Sequence, residues 1–159
     1  MALKKGTNSY RTVAEADAYF EDRLDVAAWT DADDDQKSQS LVTATAVLDN
    51  MDWTGYAVSE SQNLAFPRVG TYFDPRLGYD VNFDSVDAPD RINIATYELA
   101  YHLLNNDGLL DSSGSVVNLK VGPISLERVS TPSTVPPHVK RLIKPMLVNS
   151  GAKQWWRAN

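Results

Sequence analysis

Two histidines, His102 and His138, are the residues of this chain best suited to move a proton near neutral pH, and with no cysteine present their partners would be hydroxyls or carboxylates. No GxSxG elbow surrounds any of the serines, and no HExxH pair exists, so neither an activated hydroxyl nor a zinc-bound water is implied. Asp80 and Asp84 make a carboxylate pair, but in a stretch punctuated by Gly and Pro that frames no acid–base site. Ser150-Gly151-Ala152-Lys153 is the tail of a phosphate-cradling loop without its first glycine or its preceding strand, and GxGxxG is absent. The run Asp31 to Asp35 opens like a calcium loop. It then places Gln36 where that loop needs glycine and Val42 where it needs glutamate. The expectation is a protein with no catalytic residue, no metal and no cofactor.

Binding is the better use of what remains. Lys153-Gln154-Trp155-Trp156-Arg157 interleaves cations with large aromatics, the residue types that carry most interface energy, and reads as a docking arm. Charge is segregated along the chain. Residues 1–118 hold 8 basic and 20 acidic side chains, a balance of −12, whereas 119–159 hold 7 basic and one acidic, a balance of +6. The basic part, with Lys140, Arg141 and Lys144 at its centre, suits a negatively charged partner: nucleic acid, another protein, or the acidic body of a second copy. A single-stranded nucleic-acid platform is one such reading, since aromatics stack on bases and lysines meet phosphates. The overall charge of −6 weighs against it.

The elements that would position these residues are read from caps and periodicity. Thr12-Val13-Ala14-Glu15 is a capping box, opening a helix to about Arg23 with Val13, Ala16, Tyr19 and Phe20 on its buried stripe. The acids at 31–35 suit the start of a second helix, about Asp33 to Met51, whose inner face carries Leu41, Thr45, Leu48 and Met51. Residues 52–87, with Gly55, Pro67, Gly70, Pro75 and Gly78, read as an irregular middle pinned by Trp53, Tyr56, Phe66, Tyr72, Phe73, Tyr79 and Phe83. A central buried helix follows from near Ala88 to Asn106. Alternation at Val117 to Val121 and at Ile124 to Glu127 predicts two strands turning at Gly122-Pro123. Thr131 to Pro137 is a proline-rich linker. The last helix starts near Pro137, carries Val139, Leu142, Ile143 and Met146, and is kinked or ended by Pro145. At 159 residues and 43% apolar composition this is one domain of ordinary size, with no run long enough to span a membrane and no apolar leader at its start. A soluble, unexported protein is expected.

The ordered series Tyr10–Phe20, Ala28-Trp29-Thr30, Trp53-Thr54-Gly55, Leu64-Ala65-Phe66-Pro67-Arg68-Val69-Gly70 and Lys120-Val121-Gly122-Pro123-Ile124 resembles the small phage proteins grouped as DnaT-like single-stranded DNA binders and as head-completion, or head-to-tail adaptor, proteins. The resemblance spans roughly residues 9–148. It implies a mainly α fold: a compact four-helix bundle with a small β-hairpin at about 116–129, an adaptor domain over 1–148, and an extended C-terminal arm over 149–159. It further implies a virion protein of the head–tail junction, made in the host cytoplasm. Such a protein forms a ring, roughly twelvefold to match the portal, between portal and tail or nozzle protein, with DNA passing through without sequence-specific binding. Lys153, Trp155, Trp156 and Arg157, with Lys140, Arg141 and Lys144, would then grip the portal. Val121, Gly122, Pro123 and Ile124 would meet a neighbouring subunit or the tail. The DnaT-like side of the resemblance implies the alternative, a single-stranded DNA-binding protein.

Overall fold

Two reciprocal caps start the helical frame. The Glu15 N–H donates to Thr12 Oγ1 while the Thr12 N–H donates to the Glu15 carboxylate, and Asp33 and Gln36 make the same exchange at 2.7 and 3.0 Å. Each box satisfies donors that a helix start otherwise leaves open. From them run α1 (Val13–Glu21) and α3 (Asp34–Asp49), with the single turn α2 (Ala27–Thr30) between. The long α4 (Asp90–Asn105) follows, and α5 (Pro137–Ile143) passes into a 3-10 turn over Lys144–Met146. Pro145 has no N–H for the helical ladder, which accounts for α5 stopping where it does. The computed structural model describes residues 2–105, 119–121, 124–126 and 135–148.

α4 is the axis of the core. Ile92, Ala95, Leu99 and Leu103 recur at helical spacing and are essentially sealed from water. The helix packs against α3, which supplies Leu41, Ala44 and Leu48, and against α5, which supplies Val139 and Ile143. Met146 completes this cluster from the 3-10 turn. α2 anchors on the same helix, with Trp29 buried and its indole N–H bonded to Asp17 at 2.8 Å.

The middle of the chain corrects the expected architecture. Residues 52–87 hold four strands instead of an irregular loop: β1 (Tyr56–Ala57) pairs antiparallel with β2 (Arg68–Val69), and β3 (Thr71–Asp74) pairs antiparallel with β4 (Tyr79–Asn82). A third ladder joins β5 (Leu119–Val121) to β6 (Ile124–Leu126), with Val121 opposite Ile124. The fold is therefore mixed α/β, five helices with small antiparallel ladders among the described residues, and not a compact four-helix bundle with one hairpin. The cause lies in residue type. Thr71, Tyr72, Phe73, Tyr79 and Val81 are β-branched or aromatic, and they flank a tight turn in which Gly78 takes a φ of +79°. The prolines and glycines of this stretch thus mark turns between strands.

Four of the seven aromatics expected to pin that region do so. Phe66 meets Tyr10, Trp53 and Phe83 edge-on at 5.0 to 6.1 Å, and Tyr72 stacks on Phe83 at 4.9 Å. Tyr56, Phe73 and Tyr79 are exposed instead. Gly55 is obligatory: its φ is +74°, and a Cβ there would lie 2.3 Å from the Val69 carbonyl oxygen.

Candidate nucleic-acid interface

One side of α4 is polar where the rest is core. Arg91, Ile94, Glu98, Tyr101 and Asn105 follow one another at three- and four-residue steps and, with His102, line a groove of about 820 Å3. Tyr19 and Arg23 reach it from α1 and the turn after it, and His138, Arg141 and Leu142 reach it from α5. Three elements far apart in sequence therefore converge because α4 packs beside both of the others. A groove of this size admits a ligand as large as a nucleotide.

Its floor is Glu98, a carboxylate 8% exposed and the one acid in the stretch from Ile94 to Leu104. Oε1 accepts from the Tyr19 hydroxyl at 2.6 Å and from the Arg23 guanidinium. Tyr19 in turn stacks on Tyr97, with ring centroids 4.9 Å apart, which fixes the hydroxyl over the carboxylate. The pairing keeps a buried charge compensated. Arg91 is steadied from the opposite side by Asp74 at 3.1 Å.

The groove is locally basic on an acidic protein. Arg23, Arg91 and Arg141 against Glu98 give a formal +2 with both histidines neutral, whereas the whole chain carries −6. Burial, and then the Arg141 and Arg23 charges, push the His138 imidazole down from its ordinary value, favouring its neutral form. Lys140, Arg141 and Lys144 are all exposed, and among the described residues none of the three has a carboxylate partner. Arg141 among them lines the groove beside its tyrosine and histidine side chains, and an unpaired cation with neighbouring rings can hold a phosphate while presenting surfaces on which bases stack.

Of the residues singled out from sequence, Arg141 lies in the groove wall, and Lys140 and Lys144 stand on the same short helix and the turn that ends it. His102 and His138 share the groove although no motif joined them. Val121 and Ile124 are ladder partners. Gly122, Pro123, Lys153, Trp155, Trp156 and Arg157 lie outside the described residues. Asp84 lines a second groove that Asp80 does not reach, and among the described residues no three His, Asp or Glu side chains gather as metal ligands. Nor is any described helix long and apolar enough to cross a membrane. Sequence reasoning missed Arg23, Arg91 and Glu98. The usable signal was Glu98 itself, a lone acid inside the apolar run from Ile94 to Leu104.

A family model described as "Putative DnaT-like ssDNA binding protein" matches residues 2–158, nearly the whole chain. No curated protein and no solved structure matches. The match answers to the DnaT-like part of the resemblance and lends nothing to the head-to-tail adaptor part.

Proposed function

The chain belongs to the DnaT-like family, and from that premise we propose that it binds single-stranded DNA in the groove between α1, α4 and α5. The observation that carries the reading is the local charge: the groove and the exposed face of α5 gather Arg23, Arg91, Lys140, Arg141 and Lys144 on a chain whose net charge would repel a phosphate backbone elsewhere. Backbone phosphates follow the α5 cations, and bases turn inward toward Tyr101, His102 and His138. The two histidines then serve as binding surface and not in turnover. With phosphate contacts dominating, affinity is salt-sensitive and little dependent on most bases of the strand.

Photo-cross-linking tests this directly. A strand of about 15 nucleotides carrying 5-iodocytosine is irradiated on the full chain and the adducts are mapped by mass spectrometry. Adducts on the peptides holding residues 91–105 and 138–144 are expected. Adducts confined to other parts of the chain would overturn the groove as the site. A protein that sediments as a salt-stable ring and retains no oligonucleotide would instead return the ring adaptor to first place.

A further inference from the structure

The two oxygens of Glu98 are not equivalent. Oε1 is engaged by both Tyr19 and Arg23, whereas Oε2 accepts no hydrogen bond among the described residues, and His138 Nε2 stands 3.7 Å from it, beyond hydrogen-bonding distance. Burial and the Arg141 and Arg23 charges disfavour the protonated form of His138, which weakens it as an ion-pair partner for that oxygen. The floor of a groove otherwise ringed with cations therefore presents an acceptor with open lone pairs. A phosphate avoids such an oxygen. An N–H donor seeks it, and unpaired bases differ in that respect: cytosine carries an amino group at position 4, where thymine carries a carbonyl oxygen.

We propose that Glu98 Oε2 reads the exocyclic amino group of one unpaired base, giving the groove a preference for cytosine over thymine at that position. The inference rests on the single-stranded DNA reading and adds to it a specificity-determining residue. The two pyrimidines have the same ring size, so shape does not separate them. What separates them is a donor facing a carboxylate in one case and two acceptors facing each other in the other. Adenine also offers an amino group but must place a larger ring over the same floor.

The asymmetry of the carboxylate makes a sharper prediction for Glu98→Gln. Tyr19 and Arg23 both donate at the Oε1 position, so the glutamine must put its carbonyl oxygen there and its NH2 where Oε2 stood. The floor then becomes a donor. The preference should reverse, because thymine O4 accepts where the cytosine amino group now faces another donor.

The experiment titrates the full-length protein with labelled oligo(dC) and oligo(dT) of about 15 nucleotides at a pH near 8, followed by anisotropy. A third strand carries N4,N4-dimethylcytosine, which keeps the cytosine ring and removes its donors. Oligo(dC) should bind about tenfold more tightly than oligo(dT), the dimethylated strand should fall to the oligo(dT) level, and Glu98→Gln should reverse the order. Equal binding of all three strands by the unaltered protein would overturn the role of Glu98 while leaving a groove that binds single strands. Binding of none would overturn the single-strand reading and this inference with it. The dimethylated strand decides the matter on the unaltered protein if the glutamine variant fails to fold.

Discussion

Arg68 shows how a residue that looks functional by type is spent on structure. Its guanidinium donates to the carbonyls of Thr54, Ala65, Trp53 and Gly55 at 2.7 to 3.3 Å and lies over the Phe66 ring, tying the segment before β1 to the segment before β2 through one side chain. The motif Leu64 to Gly70 thus builds a clasp in this chain. Arg68→Ala leaves those carbonyls to find water at a half-buried site, and a loss of about 2–4 kcal/mol in urea unfolding is expected. Arg68→Lys should restore only part of it, because an ammonium lacks the planar fork that reaches several acceptors at once. Glu15 is a second such residue. Burial alone would raise its carboxyl, but donors from Lys5, Thr12 and Arg11 overcome that and hold it down to about 2 from an ordinary 4.5. A depressed carboxyl stabilises the fold in full above its unfolded value and loses that contribution as pH falls from 4.5 through about 2. Urea midpoints measured across that window should fall more steeply for the unaltered protein than for Glu15→Gln.

At the scale of elements, local chemistry was legible and lateral pairing was not. Both capping boxes follow from side chains three residues apart, and α3 and α5 begin where Asp33 and Pro137 indicate. Replacing Asp33 by Ala should cost about 1 kcal/mol, read from the same unfolding curves, since Gln36 loses its reciprocal partner. β3 and β4 escaped notice for a physical reason: turn residues are identical whether they end strands or join loops, and only the alternation beside them tells the two apart. That alternation is short here, with Thr71 to Asp74 facing Tyr79 to Asn82 across one turn. The groove was less legible still. Its cations come from the turn after α1, from α4 and from α5, and nothing in the spacing of Arg23, Arg91 and Arg141 announces that they meet. What the sequence did carry was the basic character of α5 and the oddity of Glu98 as the lone acid between Ile94 and Leu104. Leu99, its neighbour in sequence, faces the core, and Leu99→Ala should cost about 2–5 kcal/mol by leaving a cavity between the packed helices.

Over the whole molecule, the balance of charge decides how a strand approaches. On the proposed reading, an acidic body with a basic groove among its described residues would confine the phosphate backbone to a track, where an evenly basic protein would let it settle anywhere. The net charge of −6 is compatible with DNA binding on these terms, because counterion release is set by the cations that touch phosphates and not by the sum over the chain. The measurement that tests this most directly is the salt dependence of oligonucleotide binding for the unaltered chain and for the Lys140→Glu, Arg141→Glu, Lys144→Glu triple variant, between about 50 and about 200 mM salt. The account predicts affinity falling linearly on a double-logarithmic plot, with the triple variant at least about tenfold weaker and its slope shallower by about 2, since each lost phosphate contact on a single strand contributes roughly 0.7. A triple variant that binds as tightly as the unaltered chain, with the same slope, would contradict it.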